Sequence, residues 1–537
     1  MSVRNAIVVL LSTFALLFLA GCGSNGATIT NPVAPPSGAF SASTLNGTYV
    51  FSVSGTDFAG APLAIVGTLT ANGSGGITGG AVDISDAQIT PLANVSVGSG
   101  SYNVGVDGRG RATLNLSNSR FASTLMLDFV LSSSSHGLVI ELDGNGSGSG
   151  TLDLQTAGVT PTGTYAFSLS GANFSGSPWA TVGNFAISGT SLTGLDDLNE
   201  GGLVAFSDPL SGTFQLGPSS TPGTTLSAGS FNGTFDVFAI DATHLKFIEM
   251  DSTAILSGDA FSQTSTALPT GTLAFTLGGD LGSNPFSAGG FMTMNGSSVT
   301  GSEDDVVGTT VSSSNAPGTF GATFTAAGIG RFTLGSFTTF VGGTTYAAYP
   351  SSGGLLLLEI DSGTTTGITT GAAYTQTSPL PAFASGQGYG MNLSGVFLGS
   401  ATFPASEVDD IAEFTANNGT LTAGIIDENS PGAPSPIFDV GLVNGTYGTI
   451  DSNGRYFVQA QAGQTNSSNT TSNGGFALTL YTVDGMTFPF IEVDGGQVAT
   501  GVVVLQNSSA ANPALAHAQM FVPQPFIHAH VARQKKN

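Results

Sequence analysis

The chain has 537 residues, 78 of them Gly, and carries a formal charge of −24 from 10 Lys+Arg against 34 Asp+Glu. At about 100–200 residues per domain this length makes several domains. So few cations exclude binding to a phosphate backbone, which needs Lys and Arg to displace counterions, so no nucleic-acid partner is expected. With 40% hydrophobic and only 8% charged residues, the chain lacks the signature of disorder and folds.

Residues 1–21 read as a signal helix: Arg4 gives a short positive region, and Ala6 to Ala20 is an almost unbroken apolar run of secretory length. The run closes in Leu19-Ala20-Gly21-Cys22, which resembles the bacterial lipobox. That resemblance implies cleavage before Cys22, a diacylglyceryl group on its thiol and an acylated (palmitate) amino group, hence attachment to a membrane. Gly23 at the following position implies the outer membrane. Cys22 is the one cysteine, so no disulfide and no cysteine metal site is expected in the exported fold. Residues 22–44, rich in Gly, Ser, Thr, Asn and Pro, read as a tether.

Beyond the tether one unit is written four times. Its opening recurs as GTYVFSVSG from Gly47, GTYAFSLSG from Gly163, GTLAFTLGG from Gly271 and QGYGMNLSG from Gln387. Each unit closes on an apolar stretch with Glu-x-Asp: Glu141 and Asp143, Glu249 and Asp251, Glu359 and Asp361, Glu492 and Asp494. A Gln follows at Gln155, Gln263, Gln376 and Gln506. The repeats are 45–156, 161–264, 269–377 and 384–507, each large enough for its own core, and 508–537 is a tail. Tyr49, Phe51 and Val53 alternate with Val50, Ser52 and Ser54, the period of a half-buried strand. In the first unit further strands are expected near 63–70, 76–84, 101–106, 112–116, 124–131, 138–142 and 151–154, separated by Gly, Asn, Asp and Ser turns.

The fold class is therefore all-β: four tandem small antiparallel barrels of about eight strands in an up-and-down meander, which leaves no sheet edge open. A β-sandwich is the alternative. In strand count and its Gly-x-Tyr opening the unit resembles the lipocalin and avidin barrels, without the lipocalin Gly-x-Trp. The whole chain resembles the Gly/Ser/Thr-rich repeat lipoproteins exported by Gram-negative bacteria. An integral outer-membrane barrel is excluded by strands shorter than the 9–11 residues a span needs.

Arg111, Arg331 and Arg455 recur after Gly-rich turns and are expected to form structural ion pairs with Glu141, Glu359 and Glu492, so that Arg331→Ala loosens the third unit alone. The second unit has only Lys246, on the face opposite Glu249. Asp143-Gly-Asn145 has the alternating oxygens of a calcium loop, but the other copies lose them; Asp143 and Asn145 are thus weak metal candidates, and no cofactor is expected. A second acidic element recurs at Asp83, Asp197, Asp305 and Asp427, with Asp196, Glu200, Asp304 and Glu428 nearby, read as solvated rim charge. His136 and His244 are read as turn residues, and His517, His528 and His530 as part of the tail. No catalytic residue is assigned.

These features make a non-enzymatic surface lipoprotein, anchored in the cell envelope by its N-terminal lipid, that presents a row of four barrels as a spacer, adhesion or binding array for an unidentified envelope or extracellular ligand. The alternative is a carrier holding a small apolar ligand in each lumen, and the weaker one a hydrolase using paired carboxylates.

Overall fold

The computed structural model describes residues 38–508 apart from 118–119, 222, 230, 313–316, 363–366, 401–403, 431–435 and 464–471. The signal segment, Cys22, most of the tether and the tail histidines lie outside the described residues. Four closed eight-stranded antiparallel barrels make up the fold, each strand bonded to the next and the eighth to the first.

Barrel 1 consists of Asn46–Asp57, Pro62–Asn72, Gly76–Asp86, Leu92–Val104, Arg109–Leu116, Thr124–Leu131, His136–Leu142 and Gly146–Leu154. Barrel 2 runs from Gly163–Asn173 to Ala254–Ser262, and barrel 4 from Gln387–Phe397 to Gln497–Leu505. Barrel 3 opens with Gly271–Leu281 and closes with Ile368–Thr375; a short extra strand, Thr310–Ser312, pairs onto Ser298–Val307. The meander is the one expected, and the sandwich is not formed.

Alternation places the aromatic face of each opening strand in the lumen: Tyr49, Phe51 and Val53 belong to the core of barrel 1. The repeated tyrosine is tied to the barrel end. Tyr49 donates its hydroxyl to Ser134 O at 2.7 Å, Tyr165 donates to Ala242 O at 2.6 Å, and Tyr389 accepts from Ala384 N at 2.8 Å. The same end is corked by the segment before the first strand, with Phe40 and Leu45 in barrel 1 and Phe383 in barrel 4. Phe383 lies 4.4 Å from the ring of Tyr389 and 5.0 Å from that of Phe488. Ring packing also fills barrel 2, where Phe185 meets Tyr165, Phe167 and Phe247 at 5.6–5.9 Å. The lumina of barrels 1 and 3 contain residual spaces of about 10 Å³ each, no more than one water occupies.

The outer faces differ from expectation. Strands that alternate apolar-in and polar-out have one wet face, but His136–Leu142 is buried along its whole length. Leu138, Ile140 and Leu142 of barrel 1, Val182 of barrel 2, Leu356 and Leu358 of barrel 3 and Val502 and Val504 of barrel 4 pack into a single shared core. The four barrels therefore gather around a common centre instead of standing in a row, and barrel 4 meets barrel 1.

Candidate functional site

The repeated polar residues converge on the seams between barrels. Gln155 donates through Nε2 to Ala239 O, Gln263 to Pro350 O, Gln376 to Thr482 O and Gln506 to Leu131 O, at 2.7–3.0 Å. Those four carbonyls hold the same position in each repeat, one residue past the site of Val130, Phe238, Tyr349 and Tyr481. The Gln of every barrel thus latches the next one, and the fourth latches the first. The ring is closed.

Strand register also makes Asp83, Asp197, Asp304 and Asp427 equivalent, each opposite the residue three before the partner of the opening strand's core side chain. This corrects the sequence alignment, which placed Asp305 in the set. In three seams a guanidinium of the following barrel meets that Asp. Arg331 grips Asp197 with Nε–Oδ2 2.6 Å and Nη2–Oδ1 2.5 Å, and Tyr349 donates to the same carboxylate. Arg455 grips Asp304 at 2.7 and 2.6 Å, joined by Tyr481 at 2.9 Å. In the seam from barrel 4 to barrel 1, Arg109 reaches Asp427 at 3.0 Å and Asp439 at 2.9 Å while bonded to Asp107 of its own barrel. Burial opposes the charge on all three arginines, yet the adjoining carboxylates hold their pKa above the usual value.

The expected Arg–Glu pairs do not form among the described residues. Alternation puts Arg111, Arg331 and Arg455 on the outside of the barrel wall, whereas Glu141, Glu359 and Glu492 share the parity of the lumen side chains. Glu359 accepts from Thr369 Oγ1 at 2.9 Å and Glu492 from Gln497 Nε2 at 2.8 Å. Burial pushes Glu359 up to about 7 and lifts Glu141 and Glu492 well above the carboxylate range. Arg111 is not the counterpart of Arg331 and Arg455; Arg109 is, and Arg111 chelates Asp128 of its own barrel at 2.5 and 2.6 Å. Gly precedes both Arg109 and Arg111 in the sequence, and the turn tells them apart: Gly108, Gly330 and Gly454 have positive φ, whereas Gly110 lies within the strand.

The seam between barrels 1 and 2 has no cation at this position. Asp83 meets Asp236, both carboxyls are buried, and burial with the neighbouring acid lifts Asp83 well above the usual range. Apolar packing of Val50, Val66, Phe238, Ile248, Met250 and Ile255 covers the rest of this seam.

The Asp of each Glu-x-Asp caps a turn. Asp143 accepts Met126 N at 2.8 Å and Asn145 N at 2.7 Å, and Asp251 accepts Thr234 N and Thr253 N in the same way. With its oxygens on backbone N–H groups, Asp143 has the geometry of an Asx turn, and among the described residues no three His, Cys, Asp or Glu are grouped to hold a metal.

His136 and His244 open strands instead of lying in turns. His136 Nδ1 is 2.6 Å from Asp153 Oδ1, and His244 Nε2 is 2.6 Å from Asp259 Oδ1, which also accepts Lys246 Nζ at 2.9 Å. Burial alone raises Asp259, but Lys246 and His244 overcome it and bring its pKa to about 2. Both histidines are enclosed, 4% and 2% exposed, so no substrate reaches them.

One polar cleft opens at the seam of barrels 4 and 1. It encloses about 240 Å³ and is lined by Asn103, Asp107, Arg109, Arg111, Asp128, Asp427 and Asp439. Phe438 of barrel 4 stands at its mouth with its ring centre 4.5 Å from the Arg111 guanidinium, a cation–π contact across the seam.

Neither a family model nor a curated protein matches the sequence. Among solved structures the chain is similar to the isotype 1 transferrin binding protein B of serogroup B Neisseria meningitidis, with 10% identity over 68% of this chain and 82% of that one. The TM-score is 0.19, too low to relate the two structures.

Proposed function

We propose that this chain is an exported, lipid-anchored, non-enzymatic protein of the bacterial cell envelope, and that its ring of four barrels is a platform which engages its partner through the outer surface. The observation that carries the reading is where the repeated chemistry goes. The recurring Arg, Asp and Gln side chains, with Tyr349 and Tyr481, are consumed in joining barrel to barrel, and the lumina of barrels 1 and 3 hold spaces of about 10 Å³ where small-molecule sites occupy about 300–1,000 Å³. Those lumina are filled, which removes the basis for a carrier of retinol-sized ligands there. The Glu of every Glu-x-Asp pair is fully buried beside its own Asp, which weighs against a carboxylate hydrolase. A closed ring is also a poor spacer.

What remains for recognition is the rim. On barrel 2, Leu203 is 72% and Phe206 61% exposed. Phe174 is exposed in a neighbouring turn, held beside them by Asn173 Nδ2 donating to Glu200 at 2.9 Å. Anchorage rests on the lipobox around Cys22 and is tested directly. Cells fed an alkyne palmitate should label the wild-type protein, which fractionates with membranes, and Cys22→Ser should abolish both. A wild-type protein that stays unlabelled and soluble overturns the anchored reading.

A further inference from the structure

The four seams are built on one plan, but the last differs in kind. Barrels 1, 2, 3 and 4 are joined in order by the chain, whereas barrel 4 meets barrel 1 without a covalent link. That seam is also where an acidic strand is pressed against a strand of small hydroxyl residues. On Ser406–Asn417 the outward positions are Glu407, Asp409, Ile411 and Glu413. In register, the corresponding residues of the other barrels are Pro62, Ala64, Val66 and Thr68; Pro178, Ala180, Val182 and Asn184; and Pro285, Ser287, Gly289 and Phe291. Three carboxylates therefore stand where the sister seams have none.

Their partners on barrel 1 are neutral. Thr56 donates to Glu407 Oε2 at 2.5 Å and Ser147 donates to Asp409 Oδ2 at 2.6 Å; alongside them Ser149 donates to Asn392 Oδ1 at 2.6 Å. Gly55 lies against the same place: a Cβ there would meet Ser147 O of its own barrel at 1.9 Å and Glu407 Oε1 at 2.6 Å. Glu407, Asp409 and Glu413 are buried, and Glu407 Oε1, Asp409 Oδ1 and both oxygens of Glu413 have no hydrogen-bond partner.

The charged groups around this row are mostly acids too. Glu141 faces it from barrel 1 with Asp86 behind, and in barrel 4 Asp410 stands beside it with Asp427 and Glu428 next to Asp410. Arg109 is the cation at the far end, next to Glu413 and Asp107, and it is already engaged with Asp107, Asp427 and Asp439.

We propose that the seam between the fourth and first barrels is a pH-controlled gate: protonated Glu407 and Asp409 close the ring, and their ionisation opens it along this seam. A neutral carboxyl can sit against Thr56 and Ser147 out of water; two carboxylates beside Glu141, without a cation, cannot do so cheaply. Burial, followed by the adjoining acids, raises the pKa of Glu407, and burial raises Asp409. For a carboxyl whose pKa is raised in the closed state, the closing contribution is complete below its open-state pKa and is lost as pH climbs toward the closed-state value. Acid therefore shuts the gate and alkali releases it, while the other three seams stay joined by the chain.

The test is small-angle scattering on the full chain from about pH 5 to about pH 9, the range in which carboxyls with raised pKa ionise. The radius of gyration of the wild type should rise with pH and return on reacidification. Glu407→Gln combined with Asp409→Asn should stay compact throughout. A disulfide between Ser149→Cys and Asn392→Cys, in a Cys22→Ser background, should hold the ring shut when oxidised and release it when reduced. A wild type of constant radius overturns the gate, as does an amide variant that expands like the wild type. If that variant does not fold, the disulfide decides: expansion of the oxidised protein equal to that of the wild type places the opening elsewhere and overturns the proposal.

Discussion

Replacing Arg331 with Met tests whether the guanidinium–carboxylate contacts hold the ring or merely decorate it. The side chains of Arg331 and Asp197 are 3% and 0% exposed, so truncation leaves an uncompensated carboxylate in a buried seam, a loss of about 3–5 kcal/mol. Tyr349 and the Ser207 backbone N–H still donate to Asp197, which places the expected loss near the lower bound, about 3 kcal/mol. The double variant with Asp197→Asn should recover part of it, because an amide tolerates burial without a cation. Arg111→Met is the control: its side chain is 35% exposed, and the pair with Asp128 is discounted for solvent to about 1 kcal/mol or less. Urea unfolding followed by fluorescence reads the outcome, since Trp179 is the one tryptophan and belongs to the core of barrel 2. The seam crosses from barrel 2 to barrel 3, so the Trp179 transition should move, in contrast to the sequence-based expectation that only the third unit loosens. If Arg331→Met shifts that transition no further than Arg111→Met, or if the two substitutions at the seam are additive, the buried pair does not hold barrels 2 and 3 together.

Two further substitutions probe packing and ionisation. Gly289 lies under the ring of Tyr481 across the seam of barrels 3 and 4, and a Cβ would come within 2.3 Å of its Cε2; Gly289→Ala should cost about 1–3 kcal/mol as an overpacked site. Adding Tyr481→Ala should remove that penalty, and a Gly289→Ala melt indistinguishable from wild type would show that the barrels slide apart freely. Glu359 has a pKa raised by burial to about 7 against an ordinary 4.5. The wild type should therefore lose up to about 3 kcal/mol as pH rises from about 4.5 to 7, since the unfolded chain releases this proton first. Glu359→Gln should flatten that part of the stability profile while matching wild type near pH 4; a variant curve parallel to the wild type would mean that Glu359 ionises freely in the barrel.

The barrels were legible because their interiors obey local rules. A period of two, a Gly-x-Tyr start and Glu-x-Asp followed by Gln mark eight-strand meanders without reference to anything outside the unit. The seams were hidden because they depend on which outward residues meet across barrels, and repetition alone cannot say that. Gly146–Leu154 shows the difference. Its Gly-Ser-Gly-Ser-Gly sequence reads as a turn, so the strand was expected only from 151, yet small residues are what a strand needs when a second barrel presses on its outer face. Leu92–Val104 was likewise shortened to 101–106, because its outward Ser and Gly residues obscure the alternation of Val95, Val97 and Tyr102, which all belong to the lumen core. The alternation rule already separated Arg331 from Glu359, since one lies on the outside of the wall and the other within it; applied across strands as well as along them, it points each arginine at a neighbouring barrel. Gln155 and its counterparts were visible as repeat markers, and their role as latches needed the next barrel in place.

Comparison of the seams gives a reason for their divergence. The Gln latch is present in all four, the guanidinium–Asp contact in three and the Tyr that supports it in two. An Asn that reaches across to the carbonyl of the lumen Glu occurs in two, through Asn199 to Glu359 O and Asn429 to Glu141 O. Barrels joined by the chain meet at high effective concentration, so their seams tolerate losing parts; that between barrels 1 and 2 has lost both the Arg and the Asn, with Ser85 in the Asn position, and relies on apolar contact. The seam between barrels 4 and 1 has no such help. It retains the Gln, the Arg and the Asn, and adds Ser and Thr hydroxyls bonded to carboxyls. Its apolar contacts are shared with the common core of the ring, and without a chain connection of its own it depends on the buried carboxyls of Glu407 and Asp409, so a change in their protonation is able to control its strength.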